Sequence, residues 1–195
     1  MGNICAIRTI DTPTGIPTGK LGMWVFLVSE IMFFTGLIGS YIVLRLGSVG
    51  WPTPGATLNT GLLAVNTLVL ITSSLTMALA LNAAQQGRKG NLKRYLLLTA
   101  LLGSTFLALK GYDYAHMWHR GFTIASSLFG SCYYLLTGFH ALHVLSGVIV
   151  LTTLLTAASR PVLSQTTVGR VEYSGLYWHF IDIVWVILFA ILCLV

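Results

Sequence analysis

Glu30, His140, His143, Glu172, His179 and Asp182 are the residues whose chemistry sits least easily with their neighbours, because each stands in an otherwise apolar stretch. Carboxyls and imidazoles in such a setting can exchange protons, ligate a metal or haem, or pair to satisfy groups that lipid cannot. His140 and His143, three apart in Gly138-Phe-His-Ala-Leu-His-Val144, share one helical face. Glu172, His179 and Asp182 fall within roughly 80° of one face of their own helix. Counted from Leu21, Glu30 lies roughly 13 Å along a helix, close to the middle of a bilayer. Flanked by Met32-Phe-Phe34, its carboxyl either keeps its proton or hydrogen-bonds a neighbouring helix.

Each group has a plain and a sharp reading. Glu30 is either an interhelical clamp or a proton-handling group that communicates with another subunit. His140, His143 and His179 form cross-helix hydrogen bonds with the carboxyls, or they ligate a metal or haem, for which a second helix would have to complete the set. His116 and His119, three apart beside Trp118 in the loop after Tyr112, are interfacial anchors like Trp51, with an exposed metal site as the other option.

The elements that position these groups follow from composition. Of 195 residues 55% are hydrophobic and only 8% charged, with mean hydropathy +0.82. A soluble domain carries about 25% charged residues, whereas a lipid-facing surface needs no polar coat. The chain is thus expected to be all-α, a polytopic membrane protein. Five stretches reach the length of about 20 residues that a spanning helix requires, at about 21–46, 60–84, 93–112, 127–158 and 173–195. They form one transmembrane domain over 21–195 behind a short cytoplasmic segment, 1–20. The third span is the weakest, since Lys93-Arg94 and Lys110 mark its ends. Residues 1–19 lack the apolar core of a cleavable signal, so the first span is expected to direct its own insertion.

Charge gives the orientation. Arg8, Lys20, Arg88, Lys89, Lys93, Arg94, Arg160 and Arg170 fall on one side, against Arg45, Lys110 and Arg120 on the other. That imbalance predicts an amino terminus in the cytoplasm and a carboxy terminus outside. The net charge of +6 belongs to these flanks, and no RNA-binding or zinc-finger pattern accompanies it, which excludes a nucleic-acid partner. Cys5, Cys132 and Cys193 stand singly and outline neither a disulfide framework nor a c-type haem site. No Walker, GxGxxG, GxSxG or HExxH motif occurs, so no self-contained catalytic centre can be assembled. Small residues at helical spacing (Ser29, Gly36, Ser40; Ser126, Gly130) predict close helix contacts, and Asn59 with Asn66 predicts a polar seam on the second span.

Five blocks in order along the chain resemble subunit III of the cytochrome c oxidases, of the haem–copper oxidase family. They are Gly22-Met-Trp24 with Ser29-Glu-Ile-Met-Phe-Phe-Thr-Gly36, Trp51-Pro, Leu58-Asn-Thr60, Thr137-Gly-Phe-His-Ala-Leu-His-Val144, and Tyr177-Trp-His-Phe-Ile-Asp-Ile-Val-Trp185. The resemblance implies a subunit of the bacterial plasma membrane without haem or copper of its own. Those cofactors belong to partner subunits. It further implies packing on subunit I, association with subunit II and other respiratory subunits, bound phospholipid, and support of proton uptake and of oxygen reduction coupled to pumping. Glu30 matches the family's buried carbodiimide-reactive carboxyl, and His140, His143, Glu172, His179 and Asp182 match its interhelical polar residues. Mitochondrial-type members have seven spans, and this sequence starts where their third would, so the second wall of their lipid-filled cleft is expected to come from another subunit or to be lacking. Among five-span relatives by resemblance, third subunits of quinol oxidases and a protein associated with nitric oxide reductases are the alternatives. Glu rather than Asp after Ser29, and Tyr177-Trp before His179, resemble the cytochrome c branch more than the quinol branch. From other classes, a small proton-coupled transporter or a b-type cytochrome would use the same polar residues differently.

Overall fold

In the computed structural model, residues 18–49, 51, 59–159 and 165–193 are described. Cys5 and Arg8, with the whole segment 1–17, and Arg160 lie outside them. Every regular element among the described residues is helical: α1 (Thr18–Gly47), α2 (Thr60–Gln85), α3 (Lys89–His119), α4 (Leu128–Ala158) and α5 (Gln165–Cys193). All five are long and apolar enough to cross a membrane, with mean hydropathy lowest in α3, at 1.4.

Local chemistry sets the helix ends. Asn59 caps α2 by accepting from the Leu62 amide at 3.2 Å, and Ser127 caps α4 by accepting from the Gly130 amide at 3.0 Å. Asn59 therefore closes a helix end instead of lining a seam, while Asn66 alone is buried. At the far end of α3 the chain turns through Gly121, at φ +76°, where the Phe122 amide reaches back to the Met117 carbonyl at 3.0 Å. Gly87, at φ +68°, ends α2 in the same way.

The third helix is where expectation and structure part. It runs four residues earlier and seven later than 93–112, so His116, Trp118 and His119 occupy its last turn and not a loop. Lys110 is no flank of a short span: it is 1% exposed, deep in the bundle. The fifth helix also begins earlier than expected, at Gln165.

Helices α2, α3, α4 and α5 pack in a closed ring, each against the next and α5 back onto α2, while α1 lies outside on α4 and α5. Trp178 and Trp185 of α5 fill the ring's centre. Both indoles donate across to α2, Trp178 to Ser73 and Trp185 to Thr67, each at 3.0 Å. Room for Trp178 comes from Gly103 of α3 and Gly147 of α4, where a Cβ would sit 2.7 and 2.8 Å from its ring. Close helix approach thus depends on these two glycines. The expected stripe of Ser29, Gly36 and Ser40 does not supply it. It faces away from the bundle, and the Ser29 and Ser40 hydroxyls bond carbonyls of their own helix.

Candidate functional site

The sequence-predicted polar residues separate into four places. At the α1/α4 seam His143 Nε2 lies 2.9 Å from Glu30 Oε2, and His143 Nδ1 lies 2.7 Å from the Phe139 carbonyl. A carbonyl can only accept, so Nδ1 carries a hydrogen. One further proton then lies between Nε2 and Oε2, either as imidazolium with carboxylate or as imidazole with carboxylic acid. Both states have the same total charge, which lets the pair sit among Phe33, Phe34 and Phe139 without an uncompensated ion. An open cavity of about 310 Å³ adjoins it, lined by Phe26, Leu142, Ser146 and Tyr177 among others.

His140 has a different fate, although it lies one turn from His143. Three residues along a helix is an advance of about 60° short of a full turn, enough here to aim His140 inward. It is fully buried with ring centroids 5.7 Å from Phe106 and 4.9 Å from Trp185, and neither ring nitrogen has a hydrogen-bond partner among the described residues. The histidine pair is therefore not one site.

The α5 residues also diverge. Glu172 meets Lys20 of α1 at 2.8 Å near one end of the bundle. His179 Nδ1 lies 2.6 Å from the Ser74 hydroxyl of α2. Asp182 is buried beside them, yet neither carboxyl oxygen makes a well-formed hydrogen bond with a described residue. A cavity of about 480 Å³ opens along α2 and α5 over Ser74, His179 and Asp182.

Of the expected anchors, Trp118 and the histidines His116 and His119 are exposed at the end of α3, and the His116 ring stacks on Tyr112. Trp51 packs inward instead, edge-on to Tyr41 and Phe129 at 5.6 Å each, with its indole nitrogen enclosed. Among the described residues no three His, Cys, Asp or Glu side chains gather to hold a metal ion.

Sequence reasoning missed the most deeply buried charges. Lys110 Nζ donates to the Tyr133 hydroxyl at 2.7 Å and to Asp113 Oδ2 at 3.2 Å, and the Tyr133 hydroxyl donates to the same Oδ2 at 2.7 Å. Rings of Tyr133, Tyr114 and Trp185 surround the ammonium at 4.7 to 5.4 Å. A signal was present. Buried α3 positions 92, 96, 99, 103, 106, 110, 113 and 117 alternate by four and three, and Lys110 and Asp113 lie on that stripe.

The family profile for cytochrome c oxidase subunit III matches residues 6–194. A probable cytochrome c oxidase subunit 3 of Nocardia farcinica is 40% identical over 94% of this chain and 90% of its own length. Its Mycobacterium tuberculosis counterpart is 38% identical over 95% and 91%, and the cytochrome c oxidase subunit 3 of Bacillus subtilis 37% identical over 89% and 84%. Together with five helices able to span a bilayer, these matches make it a multi-pass protein of the bacterial inner membrane, and the chain belongs to the cytochrome c oxidase subunit III family.

Proposed function

We propose that the chain is an accessory, non-catalytic subunit III of a bacterial haem–copper oxidase that takes electrons from cytochrome c. The observation that carries this is the family match over residues 6–194, with relatives bearing that name aligned over most of their own length. The donor chemistry of the histidines supports the accessory role. His143 is committed to Glu30, His179 to Ser74, and His140 is packed against Phe106 and Trp185, so each has a use that needs no porphyrin. Haem and copper would reside in partner subunits. This chain would brace subunit I, contact subunit II and neighbouring respiratory subunits less extensively, and hold phospholipid along its exposed apolar faces.

The Glu30–His143 unit is the residue pair suited to support proton uptake, because it holds one proton in two arrangements of equal charge. Its amino-terminal side would face the cytoplasm, in keeping with the excess of Lys and Arg there. The test is a mild-detergent pull-down of the tagged chain from its own membranes, with an optical spectrum and oxygen consumption driven by cytochrome c or by quinol. Haem and cytochrome c oxidase activity should travel with the chain, and the chain stripped of partners should be colourless. A Soret band in the stripped chain would make it a cytochrome. Quinol-driven turnover alone would move it to the quinol branch, and a clean chain without oxidase would leave the transporter reading.

A further inference from the structure

Asp182 is 6% exposed, lies in the middle of a membrane-spanning helix, and neither carboxyl oxygen makes a well-formed hydrogen bond with a described residue, its polar neighbour, the Ser74 hydroxyl, being held by His179. Beside it His179 spends Nδ1 on the Ser74 hydroxyl. Both line the cavity between α2 and α5, whose walls are the exposed side chains of Ile71, Ile183, Val186 and Ile187. A polar group this deep costs free energy unless paired, and hydrocarbon supplies no partner.

We infer that this α2/α5 groove seats a membrane-embedded helix of another oxidase subunit, which places a hydrogen-bond donor against Asp182 and His179. The partner's identity as an oxidase subunit rests on the function proposed above. Depth selects a helix over a lipid headgroup. Ser74 is about 21 Å from one end of α2 and about 16 Å from the other, and Asp182 is about 16 Å from the nearer end of α5. A phosphate or ammonium would have to sink through about half of a hydrocarbon core roughly 30 Å thick. The carboxyl selects the donor, since Asp182 keeps at least one accepting oxygen in either protonation state and stands in an apolar frame. A second copy of this chain fits poorly. The hydroxyl that α2 presents to the groove is already committed, Ser74 to His179.

The experiment uses the full oxidase complex in native membranes. Cysteines introduced as Ile183→Cys and Ile187→Cys are labelled with a thiol-directed benzophenone and irradiated, with Met32→Cys on the outer face of α1 and the unaltered chain as controls. The groove positions should each join this chain to a transmembrane segment of an oxidase subunit, identified by mass spectrometry, and the controls should not. In parallel, Asp182→Leu should lower the oxidase recovered with the tagged chain about tenfold, while Asp182→Asn, which keeps an acceptor, should recover it. Groove adducts only with lipid, with a small quinone-like molecule or with a second copy of this chain overturn the inference, as does an absence of groove adducts. Unchanged recovery with Asp182→Leu overturns it too. If Asp182→Leu fails to accumulate, the cross-linking positions decide alone. Oxidase recovered with the chain but cross-linked only through Met32→Cys would sink this interface and leave the proposed function standing. Groove adducts with a helix of a protein that is not an oxidase subunit would keep the seat for a donor helix and remove the function.

Discussion

The ring of α2 to α5 and the outlying α1 are built on opposite terms. In the ring, aromatic side chains interlock around Trp178 and Trp185, and its charges close on one another in the Lys110, Asp113 and Tyr133 triangle. Helix α1 fully buries only Leu27, Phe34 and Tyr41, with Met23, Leu37 and Ile38 half-buried against the core. Two polar links, Glu30 to His143 and Lys20 to Glu172, tie it to the ring, with ring contacts such as Phe26 on Tyr177 at 5.8 Å. Lipid tails are as apolar as the α1 side chains, so hydrophobic burial adds little to its docking and the polar links must specify where it sits. Damage inside the ring should therefore cost global stability. Damage at the seam should free α1 and spare the ring.

The largest effect should come from the buried triangle. Lys110→Met leaves the Asp113 carboxyl enclosed without its cation, a loss of about 3–5 kcal/mol, read as the unfolding midpoint in detergent by circular dichroism. Lys110→Met combined with Asp113→Leu removes both charges and should recover most of that loss. If the double variant is as unstable as the single one, packing and not charge pairing governs the site.

Next comes the seat of Trp178. Gly103→Ala and Gly147→Ala each push a methyl to within 3 Å of the indole, an overpacking cost of about 1–3 kcal/mol in the same assay. The cost should shrink in a Trp178→Phe background, where the ring is smaller. Additive losses would mean that the helices, not the indole, absorb the strain.

His143→Leu should lie below these in its effect on the whole fold, and yet dominate the seam. It strands Glu30 and weakens α1 docking by about 1–2 kcal/mol. Alkylation of a cysteine introduced as Leu27→Cys, on the buried face of α1, should quicken while the melting of the ring stays put. Glu30→Gln should not have this effect, because the amide can donate to Nε2 in place of the acid. Equal alkylation in both variants would deny the one-proton hydrogen bond its role.

These contrasts also explain what was legible beforehand. Five spans were readable because hydrophobic length alone decides a membrane helix, and the Glu30 and His143 positions stood out as polar residues in apolar runs. Which partner each would find was not readable. His140 and His143 share a face by spacing, but α4 is enclosed on several sides, so about 60° of rotation separates an aromatic cage from the α1 seam. Lys110 was misread because a cation near the end of an apolar run looks like a topology signal. Only its place on the stripe from Leu92 to Met117 gives it an interior address. The end of α3 was written in Gly121, whose positive φ lets the chain leave the helix after His119.

The smallest effect belongs to Lys20 and Glu172, and it is the sharpest check on the contrast between the two seam links. Their side chains are 39% and 36% exposed, so water and salt compete for both charges. Lys20→Ala or Glu172→Ala should leave Leu27→Cys alkylation unchanged at 0.15 M salt, where screening acts within about 8 Å. A modest acceleration should emerge only near 0.01 M, where the screening length grows to about 30 Å. The exchanged pair, Lys20→Glu with Glu172→Lys, should restore slow alkylation at low salt, since the geometry needs opposite charges and not a particular order. If either single alanine variant freed α1 at physiological salt as fully as His143→Leu does, the exposed pair would be the true clasp. The buried Glu30–His143 unit would then be left for proton handling alone.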